Sequence, residues 1–379
     1  MKYIDTPELL KEAVSLISAS SWAALDTEAD SLHHYLEKLC LVQVTAAAGD
    51  FVIDPLVSLD LSPLAQVLAG KFLILHGADF DIRMLKRASL FEPVKIFDTM
   101  IAAQLLGYPK QGLADLAEKH CGVSLSKSSQ KADWSKRPLD EKLLTYAAND
   151  THYLRDIQSV MEKELRELGR LEWHSQACAK LLESLQEARL PKDPAREWQV
   201  KGSKDLKGLA LTVFKALWYW REEEAKRRDR PSFKILNAEY LSEIARWTEK
   251  NPGNDIAQWK EAPRNVKGEY REALNRLVAN AKSLPQAQWV YPETKKPRKK
   301  WGEHENQKIS ALKSEREKIA LELKVHPSLL ATNAELETIV AAFPRDRASL
   351  EAAGCLLPWQ IETIGEKFLK VLNATGGAA

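Results

Sequence analysis

The chain has 379 residues, 45% of them hydrophobic and 28% charged, with a formal net charge of +2. That length predicts two or three folded domains of ordinary soluble composition. The near-neutral balance excludes a globally basic nucleic-acid binder, so any phosphate-binding surface must be local.

Cys40, Cys121, Cys178 and Cys355 are scattered, with no C-x-x-C pair. This argues against a zinc site or a disulfide framework and for a reducing compartment. The stretch from Met1 to Pro7 carries no basic-then-apolar leader pattern, and no apolar run approaches the ~20 residues of a membrane span. The expected location is the cytoplasm, with no membrane partner.

Residues 7 to 18 read as a helix, with Thr6 as N-cap and Pro7 in the first position. Four strand-like runs follow, Trp22 to Leu25, Leu39 to Thr45, Phe51 to Ile53 and Phe72 to Leu75. After His76 the period becomes helical through Ile82 and Leu85. Val94 to Phe97 reads as a fifth strand, and from there to residue 188 nearly everything is helical. Strands first and helices after predict an α/β domain, a mixed sheet flanked by helices. Pro191 to Pro194 reads as a linker. Leu206 to Trp218 is an amphipathic helix with a wide apolar face and a charged tail ending at Pro231, and shorter helices run to Leu284. A second linker, Tyr291 to Trp301, holds Lys295, Lys296, Arg298, Lys299 and Lys300. A second helical block then runs from Lys308 to Leu372. The two blocks are similar in size and all-α, a weak internal repeat. The expected domains are residues 1–190, 206–285 and 305–375.

Asp26 and Glu28 flank Thr27 at the end of the run Trp22 to Leu25. On a strand, side chains two residues apart share a face. Two carboxylates so close repel, and only a bound cation or a shared proton makes the pairing comfortable. Alone, the pair reads as a solvated strand end followed by a turn. Two further acidic positions are Asp81, within His76 to Leu85, and Asp150, four residues after Tyr146 and on the same helix face. A carboxylate beside a phenol could hold a metal and a water.

Several neighbours have plainer readings. Asp79 reads as a solvated helix start, Asp30 as a turn residue, and Asp98 as the cap of a helix from Thr99 to Leu106. His33 and His34 read as surface. Trp134 could stack on a base or pack at a domain edge, and Lys136 and Arg137 could touch phosphate or face solvent. The five linker cations, Lys295, Lys296, Arg298, Lys299 and Lys300, form either a solvated connector or a phosphate binder.

In chain order, Asp26-Thr27-Glu28, then His76 to Leu85 with Asp81, then Tyr146 to Asp150 resemble the three exonuclease motifs of the DEDD 3′→5′ exonuclease superfamily, in its tyrosine-bearing branch. Lys38 to Val44, Phe97 to Ala103 and Asp133 to Leu139 resemble the ribonuclease D family in particular, and the likeness is close over residues 20–160. Residues 206–285 resemble a helicase-and-RNase-D C-terminal (HRDC) domain, best over Trp218 to Ala225 and through Pro231 to Leu236. Residues 305–375 resemble a second, more divergent copy.

The resemblance implies a ribonuclease H-like fold. It also implies that Asp26, Glu28 and Asp150 hold one divalent cation, Mg²⁺ or Mn²⁺, and that Asp26 bridges to a second which Asp81 reaches. Tyr146 would orient the attacking water or also deprotonate it, and nucleoside 5′-monophosphates would leave. The implied substrates are tRNA precursors and other structured small RNAs, met by a monomer. All five residues precede residue 151, so residues 1–190 are expected to hold the whole chemical site. A DNA exonuclease of the same superfamily is the nearest alternative, because a metal site touches phosphate and not the 2′-hydroxyl that identifies RNA. A non-catalytic nucleic-acid binder of this fold would be expected to lose at least one of the four carboxylates, and none is lost.

Overall fold

In the computed structural model the described residues are 1–88, 90–186, 193–292 and 301–375. Two compact units divide them. One draws on Met1–Ala29, Leu39–Ala188 and Trp301–Ala379, the other on Asp30–Lys38 and Arg189–Lys300. The linker cations from Lys295 to Lys300 lie outside the described residues.

The first unit is built on six strands, β1 Lys2–Ile4, β2 Trp22–Ala29, β3 Leu39–Ala46, β4 Gly49–Ile53, β5 Phe72–Leu75 and β6 Ile96–Asp98. Their order across the sheet is β1-β4-β3-β2-β5-β6. The β2, β3 and β4 strands pair antiparallel, whereas β1 joins β4, and β5 and β6 extend from β2, in parallel. The expected mixed sheet is present. The three-residue β1 is too short to show a period, and it is held in place by parallel pairing with Phe51 to Ile53. The strand at Trp22 does not stop at Leu25 but runs on through the carboxylates, because Asp26, Thr27 and Glu28 pair with Gln43, Val42 and Leu41 of the buried β3.

Strand alternation separates two faces. On one, Ala23, Leu25, Val42 and Val44 meet α1 (Pro7–Ser18), α2 (Ser62–Ala69) and α3 (Asp79–Arg87) through Leu10, Ile17, Leu64, Leu68, Ile82 and Leu85. The α1 helix starts as expected, with Thr6 Oγ1 accepting from the Leu9 N–H. The other face carries Leu41 and Val52 and is covered by Trp134, Ala147 and Ala148. After α4 (Thr99–Leu105) and α5 (Leu113–Cys121), this cover comes from α6 (Glu141–His152), followed by α7 (Leu154–Glu167) and α8 (Leu171–Gln186). Asp26 and Glu28 fall on the α6 face and Thr27 on the α3 face.

The helical blocks repeat one plan. The first comprises α9 Gly208–Arg228, α10 Ser232–Ile235, α11 Ala238–Lys250, α12 Arg264–Lys267 and α13 Arg271–Ser283. The second comprises α14 Glu303–Leu323, α15 Pro327–Leu330, α16 Asn333–Ala342, α17 Arg347–Ala352 and α18 Pro358–Thr375. Each 21-residue first helix is closed by a left-handed residue, Asp229 at φ 46° or Lys324 at φ 56°. A buried arginine inside that helix then donates to the backbone ahead of the third helix, Arg221 to the Leu236 carbonyl and Arg316 to the Ala331 carbonyl at 2.8 Å. The three pairs of positions share one offset in sequence.

The second block is not separate from the nuclease fold. Leu312, Ile319, Leu336, Ile339, Ile364, Phe368 and Leu372 share one core with Ala102, Leu105, Leu116, Ile157, Met161 and Leu165 of α4, α5 and α7. Arg170, buried, bridges them by donating to the carbonyls of Leu105 at 2.6 Å and Leu323 at 2.8 Å. Trp173 stacks on Trp359 with centroids 4.4 Å apart. At Gly107, with φ +72°, an added Cβ would sit 2.0 Å from the Lys324 carbonyl oxygen, so only glycine allows this approach.

Candidate active site

Three elements deliver the acidic residues to one cleft of about 470 Å³. The end of β2 supplies Asp26 and Glu28, the first turn of α3 supplies Asp81, and α6 supplies Tyr146 and Asp150. Carboxylate oxygens of Asp26, Glu28 and Asp150 lie within 4.8 Å of one another, an arrangement that could hold a metal ion. Asp81 comes from the opposite face of the sheet, around the strand end, where Thr27 Oγ1 donates to its Oδ1 at 2.6 Å. Asp79, two residues earlier, is exposed and paired with Arg83 at 2.6 Å, the expected solvated helix start.

Asp98 does more than its expected task. It caps α4 by accepting from the Met100 and Ile101 N–H groups, and it also accepts from Gly77 and Ala78. The loop that starts α3 is thereby tied to the start of α4. Gly77 has φ +73°, and a Cβ there would meet the Met100 side chain at 2.9 Å.

Crowding four carboxyls out of water makes their charged forms costly. Asp26 is held well above its ordinary range by burial first, and then by Asp81, Asp150 and Glu28. Glu28 is pushed up to about 9 by burial, then by Asp150 and Asp81. Burial also carries Asp81 to about 7, against the pull of the Thr27 hydrogen bond, and Asp150 to about 7, against that of Tyr146. The Tyr146 phenol, which shares a hydrogen bond with Asp150, is raised by burial and then by Asp150, Glu28 and Asp26. A protonated phenol beside Asp150 can hold a water by hydrogen bonding. The donor set is all hard carboxylate oxygen, which suits a hard divalent cation.

Two expectations for nucleic-acid contact are corrected. Trp134 is 1% exposed, among Cys40, Leu41, Val52, Ala147 and Ala148, and cannot stack on a base. Its ring lies 5.9 Å from that of Tyr146 and supports it instead. The half-buried Arg137 commits its guanidinium to the protein, donating to Asp54 Oδ1 at 2.7 Å and to the carbonyls of Trp134, Lys136 and Cys40. Lys136 remains exposed, with Asp133 at 3.8 Å. Thr27 and Asp54 were not singled out from sequence. Thr27 stands inside the Asp-Thr-Glu motif, but nothing in the sequence marks Asp54.

A family model described as 3'-5' exonuclease matches residues 1–166, and one described as HRDC domain matches residues 210–254 and 305–372. Ribonuclease D of Sphingobium indicum is 30% identical over 379 residues, covering 96% of this chain and 92% of that protein. Ribonuclease D of Pseudomonas paraeruginosa is 29% identical, with 93% and 92% covered. Among solved structures, Escherichia coli RNase D, described as an exoribonuclease involved in structured RNA processing, superposes with a TM-score of 0.67 at 25% identity over 98% of both chains. A protein from Bifidobacterium adolescentis superposes with a TM-score of 0.80 at 23% identity over 98% of this chain and 97% of that one, a likeness of fold. Fold and cleft thus define a 3′→5′ exonuclease of the DEDD class. The chain belongs to the ribonuclease D family and is a hydrolytic exoribonuclease acting on RNA.

Proposed function

We propose that this cleft cleaves the terminal phosphodiester of structured RNAs, such as tRNA precursors, by two-cation hydrolysis, releasing nucleoside 5′-monophosphates. The observation that carries the reading is the meeting of Asp26, Glu28, Asp81, Tyr146 and Asp150 in one cleft, with three carboxylates close enough to share an ion. Asp26, Glu28 and Asp150 would hold one cation, and Asp26 with Asp81 the second. Two bound cations supply electrophilic stabilisation of the attacking and leaving oxygens. Tyr146 holds a water beside Asp150, and Thr27 holds Asp81 in place. Two features support a polynucleotide substrate. The cleft adjoins a second cavity of about 370 Å³, lined by Ser126, Ser128, Ser129, Lys142, Thr145 and Asn149, and the two share Tyr146 and Asp150 as walls. The involvement of the E. coli relative in structured RNA processing supports the substrate class.

The domain limits expected from sequence, a monomeric state and a cytoplasmic location belong to the same reading. Among the described residues no helix is long and apolar enough to cross a membrane. Lys136 and the linker cations Lys295, Lys296, Arg298, Lys299 and Lys300 are the proposed phosphate contacts. Matched 3′-labelled RNA and DNA strands, incubated with Mg²⁺, Mn²⁺ or EDTA, test the proposal. Release of labelled 5′-monophosphate from RNA, dependent on the cation and faster than from DNA, is expected. Equal rates on DNA, or full activity in EDTA, would overturn it.

A further inference from the structure

Directly beneath the acidic cluster lies a side chain with no assigned task. Gln43 is 0% exposed, and neither its Oε1 nor its Nε2 has a hydrogen-bond partner. Buried amides are normally satisfied, and leaving one bare is costly. The sheet register says where it stands. Gln43 pairs with Asp26 on β2 and with Val52 on β4. Directly opposed residues project from the same face with Cβ atoms about 5 Å apart, so Gln43 shares the α6 face with Asp26. Its neighbours along β3 on that face leave little choice of partner. Leu41 packs with Trp134, Ala147 and Ala148, and the Thr45 hydroxyl is engaged by Asp50 at 2.8 Å and Thr151 at 2.8 Å. Val52 is apolar. Asp26 is the polar group across the strand pair, and an ionised carboxylate has about four lone-pair sites, more than two cations use.

We propose that Gln43 is a positioning residue for the cation site: its amide N–H donates to the Asp26 carboxylate when the site is loaded and fixes that ligand from the side facing the sheet. The inference rests on the reading of Asp26 as a cation ligand. Hydrogen bonds behind a ligand set its orientation, and their loss typically weakens metal affinity roughly 10- to 100-fold.

The test uses the full chain with Gln43→Leu and Gln43→Met, which keep bulk and remove the amide, and Mn²⁺ as probe. Mn²⁺ affinity is read by electron paramagnetic resonance titration, beside the Mn²⁺ concentration for half-maximal hydrolysis and the melting temperature in EDTA. Mn²⁺ affinity is expected to fall by about tenfold or more, with KM for RNA unchanged and melting in EDTA at or above that of the unsubstituted protein. A variant that folds and binds Mn²⁺ within about threefold of the unsubstituted protein overturns the proposal. Failure of both variants to fold also overturns it, since the amide would then be a folding determinant. If the unsubstituted protein binds no Mn²⁺, the cation reading itself falls, and this inference falls with it.

Discussion

Replacing Asp150 by Asn removes one charge from the cleft while keeping an acceptor for the Tyr146 hydroxyl. Burial, tempered by the Tyr146 hydrogen bond and reinforced by Asp81, moves this carboxyl from an ordinary 3.8 to about 7. The folded protein therefore keeps a proton that the unfolded chain releases. The associated stability is complete below the unfolded value and is lost as pH rises through about 7. At pH 8, with cations removed, the shift corresponds to a folding cost of about 4 kcal/mol, at ~1.4 kcal/mol per pK unit. Asparagine does not carry that cost. Asp150→Asn should thus raise melting in EDTA at pH 8 by roughly 5–10 °C, and at pH 5 the gain should shrink to less than half. With Mn²⁺ at about 100 times its dissociation constant the gap at pH 8 should narrow to roughly 1–2 kcal/mol, because the unsubstituted protein gains about 2.7 kcal/mol by mass action and the variant has lost a ligand. Calorimetry at both pH values, in EDTA and in Mn²⁺, reads all four states. An Asn variant that melts below the unsubstituted protein in EDTA at pH 8 would refute the reasoning, because the carboxylate would then stabilise the fold by itself.

Tyr146→Phe, which deletes only the hydroxyl, should lower kcat by roughly 10²-fold with KM for RNA unchanged; equal losses in both would make Tyr146 a substrate contact. Asp81→Asn should nearly abolish hydrolysis while Asp79→Asn leaves it intact, and the reverse outcome in single-turnover assays would reassign the second motif. Deleting residues 301–379 uncovers Leu116, Ile157, Met161 and Leu165. Gel filtration and melting should show aggregation or a loss of more than ~10 °C, whereas a monomer melting within about 2 °C of the full chain would show the second block to be dispensable. Neutralising Lys295, Lys296, Arg298, Lys299 and Lys300 together should flatten the salt dependence of RNA binding by up to about 3.5 log units per log unit of salt, without changing turnover at saturating RNA. An unchanged slope would make that linker a connector only.

What could be read from the sequence was local. Thr6 before Pro7, Asp98 before Thr99, the strand face shared by Asp26 and Glu28, and the helix face shared by Tyr146 and Asp150 all follow from the spacing of one strand or one helix turn. The features missed depend on distant partners. The three-residue β1 is a strand because β4 pairs with it. The second helical block looked like a free module because its apolar stripe shows that it must be covered, but not by what. Asp54 has no motif, yet Arg137 and Tyr3 both donate to it in the interior.

Asp54 also explains why Trp134, expected at RNA, is found in the interior and why Arg137 is half-buried and held by the protein. Burial alone would raise the Asp54 carboxyl, but hydrogen bonds from Arg137, Tyr3 and the Leu56 N–H outweigh it and hold the group below its ordinary value, ionised. With a buried charge so placed, the guanidinium of Arg137 has a partner that no transient phosphate can displace cheaply. Its remaining N–H groups take the Trp134, Lys136 and Cys40 carbonyls, binding the 134–137 turn to β3. That turn carries the Trp134 ring that backs Tyr146, and three residues after Arg137 Asp140 caps the N-terminus of α6. The motif around Trp134 thus bears on the site through packing, with its ring against Tyr146 and its turn tied to β3. A site whose ligands come from three elements works only if those elements cannot slide, and an internal ion pair between β4's end and α6's start is one way this chain prevents it.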